Sequence, residues 1–145
     1  MYMHQDGSCV CTSLRKASRA VTRQYDEALA EFGLTIVQFA LLRNIGRSGP
    51  IALSSLAELM VMDRTSLYRA LAALDRAGWI EIEGTGQGRA KAVSLTRSGR
   101  DVMADATPAW DVAQGRMIER FGADRWAILR GALTDMAALA QEDAR

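Results

Sequence analysis

The sequence is short of the side chains from which catalytic and metal centres are built. Its 145 residues hold one histidine, His4, and two cysteines, Cys9 and Cys11. His4 falls in the opening stretch MYMHQDGS, which is expected to fray. Neither a zinc site nor an acid–base pair can be assembled around it. Cys9 and Cys11 are separated by a single residue, too close to form a stabilising disulfide framework. No apolar run approaches the roughly 20 residues of a membrane span. The first residues also lack the basic start and apolar core of a secretory signal, so a cytoplasmic chain is expected. The Gly84–Gly88 run follows a strand and leads into another strand, so it is not a phosphate-binding loop. There is no internal repeat and no low-complexity tract. Nothing here assembles a nucleophile with a base, and an enzyme, a metal or a cofactor is not expected.

What is present is apolar surface and unevenly placed charge. About half the residues, 49%, are hydrophobic, enough for the core of a single domain. The net charge of +1 hides an asymmetry. Residues 43–100 carry nine Lys/Arg against five Asp/Glu, while residues 101–145 carry five against eight. Positive charge therefore collects in the middle of the chain, as a phosphate-binding surface requires.

That middle stretch, LSSLAELMVMDRTSLYRALAALDRAGW, reads as two short helices around a tight corner. Ser55 to Glu58 has the S-x-x-E form of a capping box. Val61-Met62-Asp63 is the corner, and Asp63 is placed to cap the second helix. Leu67, Ala70, Leu71 and Leu74 form its apolar stripe, and Gly78 suits a left-handed C-terminal cap. The opposite face carries Arg64, Thr65, Tyr68, Arg69 and Arg76, with Ser66 at its edge. Such a face fits the DNA major groove, where arginine meets guanine edges or phosphates and hydroxyls meet either. An ordinary solvated basic face is the alternative.

The alternating Ile80-Glu81-Ile82-Glu83 then reads as a half-buried strand and Ala92–Leu95 as its return. A glycine-rich tip lies between them, with Arg89 and Lys91 at and beside it. Ile51-Ala52 is placed to add a third strand. A helix-turn-helix followed by such a hairpin is a winged helix, whose wing can reach along the DNA backbone or into a minor groove.

Around this unit the pattern is helical. A long helix is predicted from about Cys9 to Phe32, with the stripe Cys11, Leu14, Ser18, Val21, Tyr25 and Leu29, ended by Gly33. Thr35 caps a second helix with Ile36, Phe39, Ala40 and Leu42 inward. Thr96 opens a helix that reaches about Arg120 and that Pro108 should bend. Gly122 breaks it, and Asp124 is expected to cap the last helix. The fold class is thus mainly α with a small β-hairpin wing. Residues 1–34 and 101–145 form long dimerisation helices about a winged helix-turn-helix at 35–100. The terminal helices carry more apolar surface than one small domain needs, which favours a twofold homodimer.

On the residues FGLTIVQFALL, the helix-turn-helix stretch and VSLTRSGR, nearly the whole chain resembles MarR-family transcription regulators. The resemblance implies a homodimer on pseudo-palindromic double-stranded DNA, usually a repressor. It implies release by a small-molecule inducer or by cysteine oxidation. The family commonly has an aspartate two residues before the arginine matching Arg89; here Gln87 stands there. Major-groove contacts are expected from Arg64, Thr65, Ser66, Tyr68 and Arg69, and wing contacts from Arg89 and Lys91.

The stretch CTSLRKASRAVT is similar to the first helix of OhrR-type peroxide sensors, in which a cysteine at the position of Cys11 is oxidised. Cys9 would resolve the product, more easily between subunits than across one residue. Tyr25 matches one tyrosine of such a site, but Arg15 and Ile36 replace two others. Tyr25 lies about 21 Å along the helix from Cys11, so it could act only from a partner subunit. The alternative is that Cys11 is a small apolar residue on a buried stripe. The family also implies a pocket for aromatic acids, for which Arg15, Gln38, Met103 and Trp110 are candidates. There the alternative is a core Trp110 and a solvated Arg15. The competing function class is a protein-interaction module whose arginines meet acidic residues.

Overall fold

The computed structural model describes residues 9–85 and 90–144. The element order is α1 (Val10–Leu29), a 3-10 turn (Ala30–Phe32), α2 (Ile36–Ser48), β1 (Ile51–Ala52), α3 (Leu53–Met60) and α4 (Arg64–Arg76). β2 (Ile80–Thr85), β3 (Ala90–Leu95), α5 (Arg97–Phe121) and α6 (Ala123–Glu142) follow. Two compact units divide within α5, one ending at Trp110 and one starting at Asp111.

In the first unit α2 and α4 are started by short capping side chains. Thr35 and Gln38 form a reciprocal capping box at α2: Gln38 N–H donates to Thr35 Oγ1 and Thr35 N–H to Gln38 Oε1. Asp26 of α1 adds a third acceptor for this helix end, taking the Ile36 N–H at 2.7 Å. Three donors that α2 cannot satisfy internally are thereby paired. Gly33 at φ 71° closes the preceding turn.

α3 departs from expectation. It begins at Leu53 with Ala52 as its extended N-cap, and no side chain caps it. The Ser55–Glu58 capping box does not form. The reason is β1: Ile51 and Ala52 pair with Val93 and Ala92 of β3, and the strand hands the chain straight into the helix. Ser55 is then already the third helical residue. α3 ends at Val61, whose left-handed backbone (φ 51°, ψ 45°) lets Met62 N–H reach back to the Ala57 carbonyl at 2.9 Å. That conformation costs an L-residue roughly 1–2 kcal/mol.

The sheet order is β1-β3-β2, antiparallel throughout, with Ile82 opposite Val93 and Ile80 opposite Leu95. Ile51-Ala52 thus supplies the third strand. Val93 and Ile80 are buried, but Ile82 remains 38% exposed: β2 is the edge strand, while its partner Val93 lies on the central β3. Alternation predicts which face Ile82 shares with Ile80, not how far the core extends beneath it.

The core is formed by Leu29, Leu34, Phe39, Leu41, Leu42, Ile45, Leu56, Leu67, Leu71, Leu74, Ile80, Val93 and Ala106, among others. Each leucine withdrawn from water contributes about 1.5–3 kcal/mol. Leu67, Leu71 and Leu74 anchor α4 from beneath. α1 joins this core only at its C-terminal end, through Tyr25 and Leu29. Its first half is exposed, Cys11, Leu14 and Val21 included, so the expected stripe is not buried within the chain.

In the second unit α5 runs on to Phe121, and Gly122 (φ 103°) breaks it. Gly122, not Asp124, is the N-cap of α6; Asp124 sits in the first helical turn. There its charge still complements the positive helix end. Gly122 already supplies the break, so the helix starts one residue before Asp124. Arg125 covers the Phe121 ring at 4.4 Å. No residue of α6 is buried, and Ile128 and Leu139 are 74% and 63% exposed. Among the described residues no single helix is long and apolar enough to cross a membrane. The architecture is a winged helix-turn-helix, mainly helical, with a small three-stranded wing.

Candidate nucleic-acid interface

α4 presents its first turn to solvent because its start is capped from one side and its stripe is buried on the other. Asp63 Oδ2 accepts from Ser66 N–H at 3.0 Å, and Asp63 Oδ1 accepts from the Ser66 hydroxyl at 2.6 Å. The Ser66 hydroxyl, followed by its N–H, holds the Asp63 carboxyl below its ordinary pKa. Arg64, Thr65, Ser66, Tyr68 and Arg69 are all exposed, around a buried Leu67. Ser66 spends its proton on Asp63, so only its acceptor lone pairs face outward. Tyr68 is half in solvent, at 49%.

The wing stands beside this turn. A groove of about 520 Å³ runs between them, lined by Arg64, Leu67 and Tyr68 of α4, Ala90 and Lys91 of β3, and Ala52, Leu53 and Ser54 at the β1–α3 junction. Arg64, Tyr68 and Lys91, 27 residues apart at the extremes, thus meet at one groove. Arg89 and Gln87 lie outside the described residues. Ser54 is a groove residue that the sequence reading missed. Its signal was the short strand before it, which turns the start of α3 toward the wing.

A compact junction fixes the wing's root. The Thr96 hydroxyl donates to the Gly78 carbonyl at 2.6 Å, and Thr96 Oγ1 accepts from Gly99 N–H at 3.0 Å. Thr96 N–H donates to the Trp79 carbonyl at 3.1 Å. Gly99 lies so close to that carbonyl that a Cβ there would collide with it. Arg100 Nη1 donates to Leu95 O at 3.0 Å. The end of α4, both wing strands and the start of α5 are therefore one rigid node.

The candidate sensor residues are placed differently from one another. Cys9 and Cys11 are both exposed. Cys9 is the extended N-cap of α1, although no formed hydrogen bond closes on its sulfur. The Thr12 N–H, then the Thr12 hydroxyl and the Cys11 N–H, pull the Cys9 thiol below its ordinary pKa. Tyr25 is buried at the other end of α1, and burial raises its phenol. The buried-stripe alternative for Cys11 does not hold within the chain.

Of the candidate pocket residues, Met103 and Trp110 pack against the core from α5. Trp110 stacks on Phe39 with ring centroids 5.8 Å apart. The cation over Trp110 is Arg43, at 4.3 Å, which the sequence reading left out. Gln38 is engaged in the α2 cap, and Arg15 is exposed on the first half of α1. No local signal marks Arg43, because Trp110 lies on α5, far along the chain.

The MarR family model matches residues 34–83, which contain α2, the helix-turn-helix and the first part of the outgoing wing strand. The chain is similar to the M. tuberculosis transcriptional regulator MosR solved in complex with DNA, at 30% identity and a TM-score of 0.86, covering 93% of this chain and 98% of that one. It is similar to MosR in a second structure at 29% identity and a TM-score of 0.81, over 94% and 98%. A probable transcriptional regulator from Pseudomonas aeruginosa shares the fold at 24% identity and a TM-score of 0.79, over 92% and 99%. A search of curated protein sequences found no match. Winged helix, long flanking helices and these likenesses agree: the chain belongs to the MarR family of transcription regulators.

Proposed function

We propose that this protein is a cytoplasmic homodimeric repressor that binds a pseudo-palindromic double-stranded operator. The observation that carries this is the groove at which Arg64, Tyr68 and Lys91 meet beside the exposed first turn of α4. Its two walls are an arginine-bearing helix fit for a major groove and a basic strand fit for the adjoining backbone. Arg64, Thr65, Ser66, Tyr68 and Arg69 read the groove, and Lys91 with Arg89 tracks the wing side. The DNA complex of a 30% identical regulator supports the same use.

The dimer reading is supported by uncovered apolar surface outside the winged helix. Val10 is 60% exposed on α1, and Ile128 and Leu139 are 74% and 63% exposed on α6. A second copy covers such faces and sets two recognition helices one DNA turn, about 34 Å, apart. Residues 1–34 and 101–145 are assigned to that interface, and 35–100 to DNA.

Release by cysteine oxidation is supported by two exposed thiols, one of them lowered at a helix start. An organic hydroperoxide is the oxidant. A thiolate attacks one peroxide oxygen, the O–O bond breaks, and an alcohol leaves after taking up a proton. The sulfenic acid is then displaced by the second thiol, forming a disulfide and water. Oxidation begins at Cys11 and is resolved by Cys9, most easily between subunits, where Tyr25 of the partner would lie nearer.

The test is a gel shift with the protein's own promoter region and scrambled DNA, repeated with organic hydroperoxide. The specific shift is expected, and peroxide is expected to abolish it in wild type but not in Cys11→Ser. No shift with either DNA would point to a protein-interaction module instead.

A further inference from the structure

Val61 is the one described non-glycine residue with positive φ; the other four are Gly33, Gly49, Gly78 and Gly122. Its conformation is required, because the hydrogen bonds that close α3 need a left-handed residue there. Glycine meets that need without a Cβ, and a β-branched side chain meets it worst. Burial does not offset the strain, since Val61 is 61% exposed. Neither backbone nor packing accounts for a valine at this corner.

Its place does. Val61 stands two residues before Asp63, the N-cap of α4, and Asp63 through Ser66 are all exposed. Its exposed methyl groups therefore stand at the corner that leads into the surface assigned to DNA. They cannot engage phosphate, and the one apolar group that major-groove edges offer is the thymine C5-methyl.

We propose that Val61 is a specificity-determining residue that packs against a thymine methyl at the edge of each operator half-site. The proposal rests on the DNA-binding reading above. It explains why an exposed, strained valine occupies a corner that suits glycine: the methyls serve the complex, not the free protein.

The test uses full-length protein and a duplex selected from a random library by wild type. Val61→Ala keeps the Cβ and removes only the methyls. It is expected to weaken binding about fivefold, the scale of burying about one methyl group. Replacing thymines by uracil one at a time should weaken wild type by a similar factor at one half-site position. At that position Val61→Ala should lose nothing further. Val61→Gly should raise the melting temperature while also weakening binding, so lost affinity cannot be ascribed to a failing fold. Val61→Ala binding as tightly as wild type would overturn the proposal. So would a uracil effect equal in both proteins, or a changed oligomeric state, which would give Val61 to the partner copy. If wild type selects no duplex, the DNA-binding reading itself falls; if Arg69→Ala weakens binding but Val61→Ala does not, only this inference does.

Discussion

The Thr96 hydroxyl donates to the Gly78 carbonyl at 2.6 Å and ties the end of the recognition helix to the first turn of α5. The same oxygen accepts from Gly99 N–H. Thr96→Val preserves shape and leaves both groups without this partner. It should cost about 1–2 kcal/mol. Thr96→Ser should recover most of that. Urea denaturation midpoints measure both, and a valine variant as stable as wild type would mean that water replaces the hydroxyl.

Gly99 is constrained by space, not by backbone angle. Its Cα faces the Trp79 carbonyl at a distance that admits no side chain. Gly99→Ala should force the wing root and α5 apart and destabilise the fold by about 1–3 kcal/mol. Gly115, with open space around it, is the control: Gly115→Ala should be neutral or stabilising. The comparison is made by thermal denaturation.

Asp63 links the helix start to pH. Its folded pKa is depressed, chiefly by the Ser66 hydroxyl, so the unfolded chain takes up the proton first. The stability it contributes is present above the ordinary aspartate pKa of about 3.9. It is lost as pH falls through the lower folded value. Asp63→Asn should therefore narrow its stability deficit against wild type as pH is lowered from 6 to 3. Melting temperatures of the two proteins across that range check the sign; a deficit that grows on acidification would contradict it.

Ile128 and Leu139 project from α6 into solvent. Ile128→Glu should cost little within one chain, because nothing buried is disturbed. Under the dimer reading it should raise the dimer dissociation constant at least about tenfold, since desolvating an unpaired carboxylate is unfavourable. Sedimentation equilibrium distinguishes a dissociating variant from an unaffected one.

These sites also show what was legible in the sequence. Thr35, Asp63, Gly78 and Thr96 were readable because a cap needs only residues a few positions away, and each stands where it was expected. Ser55 and Asp124 misled for a nonlocal reason and a local one. The pairing of β1 with β3 moved the start of α3, and Gly122 claimed the cap of α6. Ile82 kept its strand but not its burial, since alternation says nothing about where a core ends. The meeting of Arg64 with Lys91 follows from tertiary packing of the wing, and only their common charge was visible beforehand. The stacking of Arg43 on Trp110 spans α2 and α5, beyond the reach of any local rule.

The central claim is that α4 and the wing engage the same DNA. Its most direct test is operator affinity titrated against salt for wild type, Arg69→Ala, Lys91→Ala and Arg89→Ala. Each wing variant should reduce the slope of log K against log salt by about 0.9, because one fewer phosphate is neutralised. Arg69→Ala should in addition narrow the gap between operator and scrambled duplex. Unchanged affinity and slope in all three variants would contradict the assignment of this surface to DNA.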